Sequence, residues 1–502
     1  MEKYLPIHNN QTVDIDAIPV LPYEIFREVN TGLILEDPES RHCVQYFGMR
    51  QNSKVKLFCC IADDKTQMIN VSATVVSESD TLSAFTDAHL SFHNFEREIH
   101  ENFGIQFINH PWLKPLRYPF NRADKSKTIA NYPFFTIDSE ELHEVGVGPI
   151  HAGVIEPGHF RFICNGEQIL HLEIQLGFQH RGVEQLMLQK KKLLQRATLA
   201  EGLAGDTAVG HSVAFANVWE SLCSYKPTPD IEFSRTLALE LERMAIHTGD
   251  LSAICTDIAY QLGSAVYGRL RTPLVNFFQE WGGNRLAKGL IRPFKNQFPF
   301  TLALGERLDN IFNEYEPDFT EMSAELFRLP SALSRLERTG TVSFDDVLAI
   351  GTVGMSARMS GLNRDVRSSH PFYFYNTLNH KPIIKHHGDV YSRAQIRREE
   401  VWQSMGYIRN LISQIPTETA KNNSSISKPK PNAFCLTMVE GWRGEISHCA
   451  ITDESGELAL YKVKDPSFHN WLALALAVRN NEISDFPICN KSFNLSYCGF
   501  DL

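Results

Sequence analysis

The stretch GPIHAGVIEPGHFRFICNGEQILHLEIQLGFQHRGVEQL, Gly148 to Leu186, holds the point at which the chain changes character. Its opening is turn-rich. Two short β candidates follow, around 160–163 and 169–177, joined by Asn165 and Gly166, a pair suited to the positive φ of a hairpin turn. From Glu184 the apolar residues recur at helical spacing instead. Gly182 lets the backbone turn tightly into that helix, and Glu184 falls in its first turn, where the dipole favours a carboxylate. A hairpin therefore feeds a helical region.

Reading downstream, helical patterns cover roughly 184–203, 207–225, 231–262, 273–279, 302–322 and 389–413, long and apolar on one stripe as a bundle requires. The polar run 416–432 reads as an exposed loop. The stretch 435–464 alternates like a hairpin with its turn near 440–445, and a helix over 468–478 precedes an irregular tail. Reading upstream, a helix near 22–31 is followed by β pieces around 44–49, 55–62 and 69–76. An amphipathic helix is expected from about Thr81 to Phe103, closed by Gly104. Proline-rich 111–119 and polar 123–135 then break the pattern. The expected fold is α+β: a small N-terminal α/β domain over 1–135, then a mainly helical domain over 144–502 with small β-sheets.

The bulk properties agree with a folded protein of more than one unit. The chain has 502 residues, 43% of them hydrophobic and 22% charged, enough to bury a large core in several units. A net charge of -10 argues against nucleic-acid binding, which needs a basic face. The N-terminus MEKYLPIHNN has no basic and no apolar signal region, and no apolar run approaches the ~18 residues of a membrane span. A cytoplasmic chain that reaches a membrane through partners is expected.

Chemistry is concentrated in a few places. His151, Glu156, His159, Arg161, Glu173, His180, Arg181 and Glu184 lie close in sequence, and histidine beside carboxylate can relay protons. Most of these also suit plain hairpin hydrogen bonding. The ten cysteines include no C-x-x-C pair, so the strong metal signature is absent, and reduced thiols packed as small hydrophobes are the default. No Gly-rich dinucleotide fingerprint follows a strand.

Further motifs occur in order: ELERMAIH (240–247), GNRLAKGLIRP (283–293), RMSGLNRDVR (358–367), GWRGEI (441–446) and DPSFHN (465–470). With GPIHAGVIEPGHFRF and GFQHRGVEQL they resemble the large subunit of group 4 nickel-iron hydrogenases and the homologous 49-kDa subunit of respiratory complex I. NFEREIHENFGIQFINHPWLKPL (94–116) resembles the signature of the 30-kDa complex I subunit, with Phe95 where tryptophan is usual. The fused order resembles hydrogenase-3 and hydrogenase-4 large subunits.

The departures from that family carry as much information. The resemblance places the two thiolate pairs of the nickel-iron centre at Ala204 and Thr207 and at Ser496 and Gly499, none of them cysteine. Soft thiolates suit nickel and iron, and alanine and glycine cannot ligate, so no metal is expected. The complex I comparison aligns His151 with the first histidine of the quinone loop, Ile155 with the second, Asp257 with its aspartate partner and Gly205 with the quinone tyrosine. Asp206, Thr207 and His211 either line a cavity left by the metal or, for Asp206, cap the next helix.

The resemblance implies a peripheral subunit of a membrane-attached, hydrogenase-4-like or complex I-like complex that couples electron transfer to ion translocation. His151, Glu184, Asp257 and Arg358 are its candidates for proton or quinone handling. An iron-sulfur small subunit and antiporter-like membrane subunits are the implied partners, the iron-sulfur cluster being held by the former; this chain itself is expected to bind no cofactor except, in one reading, quinone. A non-catalytic scaffold and a quinone-reducing subunit with an altered pocket are the alternatives.

Overall fold

The structure, a computed structural model, describes residues 2–153, 155–416 and 428–502. The N-terminal part contains β1 (Leu5–Ile7), β2 (Thr12–Asp14), α1 (Tyr23–Glu36), β3 (Arg41–Gln51), β4 (Lys54–Asp63), β5 (Met68–Ser77), β6 (Thr81–Ser83), α2 (His93–Phe103) and β7 (Gln106–Ile108). A four-stranded antiparallel sheet, β1-β5-β4-β3, packs its inner face on α1 and α2. Gly104 closes α2 at φ 83°, as its position predicts.

The chain then forms a three-stranded sheet from β8 (His143–Val147), β9 (His159–Asn165) and β10 (Gln168–Gln175). In this hairpin Asn165 pairs with Gln168, so Gly166 and Glu167 make the turn. A helical body follows: α3 (Val183–Gln189), α4 (Leu193–Glu201), α5 (Ala208–Leu222), α6 (Pro229–Asp257) and α7 (Gln261–Gly282). After the small ribbon β11 (Ile291–Arg292) and β12 (Lys295–Asn296) come α8 (Leu302–Leu326), α9 (Pro330–Leu336), α10 (Phe344–Ile350), α11 (Met355–Arg358), α12 (Val366–Ser369) and α13 (Val390–Ile412). Buried α6 lies against α7 and α13 at the centre of this body. The C-terminal part supplies β13 (Ala433–Glu440), β14 (Glu445–Thr452), β15 (Leu458–Lys464), α14 (Ser467–Ala477), α15 (Phe486–Phe493) and α16 (Tyr497–Asp501). The architecture is α+β, with an N-terminal α/β unit ahead of a larger helical one.

Several elements differ from their sequence expectation. The helix expected from Thr81 starts at His93, because Thr81–Ser83 pair in parallel with Gln106–Ile108 and the Glu96 carboxylate fastens the intervening Phe85 and Thr86 by accepting from their backbone N–H groups. The helix expected over 184–203 is broken at 190–192. The helix placed at 273–279 runs from 261 to 282 with Pro273 inside it, and the tail folds into α15 and α16. The exposed loop expected at 416–432 falls mostly outside the described residues.

Two sheets pack face to face across the middle of the molecule. β2 joins the C-terminal sheet, giving the order β15-β14-β13-β2, and this sheet faces β3 and β4. Phe58 stacks on Phe434 there, at 6.1 Å. Polar pairs share the same seam: Gln45 donates to Ser447 at 2.8 Å, and Glu445 lies 2.7 Å from His42 Nε2 and 2.5 Å from Lys464 Nζ. The opposite face of the C-terminal sheet covers α5.

Candidate functional site

Two chain segments meet behind that sheet. One, 202–207, links α4 to α5; the other, 496–502, is α16 with its flanks. Ala204 and Thr207 are fully buried, and Ser496 and Gly499 are nearly so. The Ser496 hydroxyl accepts from Gly499 N at 2.9 Å and so caps α16. A Cβ on Gly499 would stand 2.7 Å from Asp465 Cγ, so this position has space for hydrogen only.

Arginines tie the segments together. Arg443, on the turn between β13 and β14, makes a bidentate pair with Asp206 at 2.7 and 2.6 Å, donates to the Thr207 hydroxyl at 2.9 Å and reaches the Asn494 carbonyl at 2.5 Å. Its guanidinium lies over the Trp442 ring, whose N–H donates to the Asp206 carbonyl. Burial drives the Asp206 carboxyl upward, but Arg443 outweighs it and holds the group below the usual carboxylate range. Arg181 donates to the carbonyls of Gly202 and Leu203 and, from the same side chain, to that of Cys498. The hairpin exit is fixed on the tail as well, since Asp501 accepts from Gly177 N and Gln179 N.

A chain of buried titratable groups ends beside Gly499. Asp465 lies 3.0 Å from His211 Nε2; His211 Nδ1 lies 3.1 Å from His448 Nε2; His448 Nδ1 lies 2.7 Å from the Tyr461 hydroxyl. With both rings singly protonated, one arrangement places one hydrogen in each contact: Tyr461 donates to His448, His448 to His211, and His211 to Asp465. A second proton on His211 reverses the first two bonds and leaves the heavy atoms in place. Burial drives the His448 imidazole well below its ordinary value. Asp465 stays below its own because His211 and Arg443 outweigh its burial.

Arg358 occupies a neighbouring cluster beneath β13. Glu400 lies 3.0 Å from Arg358, 2.7 Å from Arg367 and 2.7 Å from His247, with all four side chains fully buried. Asp365 pairs with Arg367 at 2.7 Å, and Glu240 accepts from Ser404 and Tyr375. Glu440 accepts from Val366 N and stands 3.9 Å from Arg358. Burial, then the charge of Asp365, pushes its carboxyl up to about 8. With Glu440 protonated, Arg243, Arg358 and Arg367 face an equal number of anions, Glu240, Asp365 and Glu400, which is how such a cluster survives burial. Glu440 and Arg443 sit at either side of one turn, so that turn joins this cluster to the two-segment site.

The other sequence candidates are dispersed. His151 lies on the turn-rich loop with Nε2 2.7 Å from the Gly158 carbonyl. That loop reaches the tail through Gly158, where a Cβ would meet the Tyr497 ring at 2.7 Å. Glu184 accepts from Lys462 Nζ and from Val463 N, each at 2.9 Å, and burial raises its carboxyl. Asp257 is the exposed last residue of α6. Among the described residues no hydrogen bond or ion pair joins any two of His151, Glu184, Asp257 and Arg358. Arg443, Asp465, His448 and Tyr461 were not singled out by sequence; the first two lie inside motifs that were.

These residues do not fit a nickel-iron centre. Thr207 offers one hydroxyl already engaged with Arg443, Ser496 spends its hydroxyl on a helix cap, Ala204 and Gly499 offer no donor, and the Arg443 guanidinium beside them repels a cation. Among the described residues no group of three His, Cys, Asp or Glu side chains is placed to hold a metal ion. At Gly205 nothing stands within 4 Å of a built Cβ.

A hairpin, a buried central helix pair and a returning sheet of β13, β14 and β15, joined by β2, surround two convergent segments, with an α/β unit ahead of them. Residues 26–123 match the family described as respiratory-chain NADH dehydrogenase, 30 Kd subunit, and residues 262–434 the 49 Kd subunit of the same enzyme. The chain carries both complex I domains and is homologous to hydrogenase-4 component G and to the fused C/D protein of NADH-quinone oxidoreductase. It is 26% identical over 426 residues to hydrogenase-4 component G of Escherichia coli, covering 80% of this chain and 72% of that one. It is 26% identical over 402 residues to the NADH-quinone oxidoreductase C/D protein of Phocaeicola vulgatus, covering 74% and 76%. It is 25% identical over 374 residues to the alpha subunit of the membrane-bound hydrogenase of Pyrococcus furiosus, covering 70% and 85%. No helix among the described residues is long and apolar enough to cross a membrane.

Proposed function

We propose that this chain is the large peripheral subunit of a membrane-attached oxidoreductase complex of the hydrogenase-4 and complex I type, holding no nickel-iron centre of its own. The observation that supports this most directly is the replacement of four ligand positions by Ala204, Thr207, Ser496 and Gly499, with Arg443 and Arg181 cross-linking the two segments by hydrogen bonds. In the hydrogenase relatives thiolates and metal are expected to join these segments. Here charge and hydrogen bonding do so.

The chemistry left at the site is proton handling. The Tyr461, His448, His211 and Asp465 chain can accept or pass a proton without moving a heavy atom, because each contact lies within hydrogen-bond distance. Coupling to ion translocation then runs through this chain's charge state, and electrons travel in an iron-sulfur small subunit. Antiporter-like membrane subunits hold the complex at the cytoplasmic face of the membrane, without nucleic acid. A scaffold role is favoured by one observation: the space beside Asp206, bounded by Gly205, Glu242 and Arg285, measures 10 Å³.

The deciding experiment is purification of the full-length chain with its associated subunits from native membranes, followed by metal analysis and an ion-uptake assay in vesicles. Iron without nickel, and uptake lost in Asp465→Asn but kept in a surface control, is the expected result. Stoichiometric nickel overturns the metal-free reading, and uptake unchanged in Asp465→Asn assigns the chain to scaffolding. Quinone reduction abolished by Asp257→Ala would instead favour the quinone-reducing reading.

A further inference from the structure

A second cavity, remote from the two-segment site, lies at the junction of α2, β10 and α14 and measures 140 Å³. Its walls are aromatic and come from separate parts of the chain: Trp112, Tyr132 and Phe135 from the segment after α2, and Trp471 and Phe500 from the tail. A space of this size matches one benzene ring, since a cavity of about 150 Å³ lined by apolar side chains holds benzene. The walls are well braced. Trp471 packs on Tyr497 at 4.8 Å, Trp112 on His93 at 5.6 Å, and Phe135 lies under the Lys114 ammonium.

The charge around this cavity is unbalanced. Arg97 lines it, is only 9% exposed, and donates to the Lys114 and Pro115 carbonyls and the Asn94 side-chain oxygen, all neutral acceptors. The guanidinium of Arg479, exposed at the rim, has no hydrogen-bond or ion-pair partner among the described residues. The single carboxylate of the lining, Glu173, is already matched by Lys114 at 2.5 Å and by Phe135 N at 2.8 Å. Two guanidiniums therefore face the space with no counter-anion. Arg97 is a buried cation without a paired anion, which is costly, and exposed Arg479 carries its charge free, so an anionic occupant would gain from both.

We propose that this cavity is a binding site for a small single-ring aromatic carboxylate, its ring held in the box of Trp112, Tyr132, Phe135, Trp471 and Phe500 and its carboxylate turned toward Arg479 at the rim. The aromatic walls select the ring by offset and edge contacts, and the guanidiniums select the anion. The site spans residues of the N-terminal unit and of the tail, so a bound ligand would join the two.

The test is calorimetric titration of the full-length chain with benzoate, with benzyl alcohol as a neutral single-ring counterpart of similar size. Benzoate is expected to bind saturably and more tightly than benzyl alcohol. Arg479→Gln should weaken benzoate about tenfold, the size of one charge-assisted hydrogen bond, and leave benzyl alcohol unchanged. Ala475→Trp, which fills the cavity from α14, should abolish both. Absence of saturable benzoate binding overturns the proposal, as does benzoate binding that Arg479→Gln leaves unchanged, or benzyl alcohol binding as tightly as benzoate. Arg479 is at the surface, so its variant reads out the site even if Ala475→Trp does not fold.

Discussion

Arg443 and Asp206 form a bidentate ion pair at 2.7 and 2.6 Å where the hydrogenase relatives are expected to hold metal ligands. The arginine is almost fully buried and the aspartate is partly open, so the pair is asymmetric: loss of Asp206 strands a buried cation, whereas loss of Arg443 leaves a carboxylate that water can reach. Asp206→Ala should lower stability by about 3 kcal/mol, and Arg443→Met by less, about 1–2 kcal/mol. Urea unfolding of the two variants in parallel checks the order, and equal losses would contradict the asymmetry.

Gly499 is set by space. Its missing Cβ would lie 2.7 Å from Asp465 Cγ and 2.9 Å from Ser496 Oγ, and Asp465 is pinned by His211 and Ser467 N. Gly499→Ala should cost about 1–3 kcal/mol as an overpacking change. Placing cysteine at 204, 207, 496 and 499 should for the same reason yield a destabilised chain without stoichiometric nickel, measured by thermal melting and metal analysis. A stable, nickel-loaded product would contradict it.

The charged cluster separates two glutamates by role. Glu400 is held well below its ordinary value because Arg358, Arg243 and Arg367 outweigh its burial, so it is an anion that three arginines require. Glu440 is pushed up to about 8 and is mostly protonated at neutral pH. Glu400→Gln should therefore cost about 3–5 kcal/mol, and Glu440→Gln under about 1 kcal/mol at pH 7. Denaturant midpoints at pH 7 distinguish them.

Glu242 gives a pH dependence. It accepts from Val209 N at 2.8 Å and Gly210 N at 3.3 Å at the start of α5, and burial pushes its carboxyl up to about 8. Its folded value lies above the unfolded one of about 4.3, so the folded state binds the extra proton between these limits. Its contribution is full below about pH 4 and is lost as pH rises through about 8. Glu242→Gln, which cannot ionise, should flatten the fall in melting temperature between about pH 5 and 8. A wild-type slope equal to that of the variant would rule out this assignment.

Legibility in the sequence follows locality. The hairpin of β9 and β10 is readable from Asn165 and Gly166, and the end of α2 from Gly104, because both depend on the φ of one residue. The helix expected from Thr81 fails, since the parallel pairing of Thr81–Ser83 with Gln106–Ile108 competes with helix and carries no local mark. α15 and α16 escape a sequence reading because each is short and held by packing. In the site, His211 stands out beside Asp206, but its partners Asp465 and His448 are 254 and 237 residues away.

By itself the sequence determined which side chains are absent: no cysteine stands at 204, 207, 496 or 499, and that negative statement needs no coordinates. It also determined the long central helices and the β9–β10 hairpin, because periodicity and turn chemistry are local properties. The tertiary structure alone decided what took the place of those ligands. A guanidinium and a four-group relay come together there only because β13, β14 and β15 fold back over α5 and carry Arg443, His448, Tyr461 and Asp465 to residues hundreds of positions earlier. Their protonation is likewise decided by burial and by facing charges, which exist only once the chain is packed.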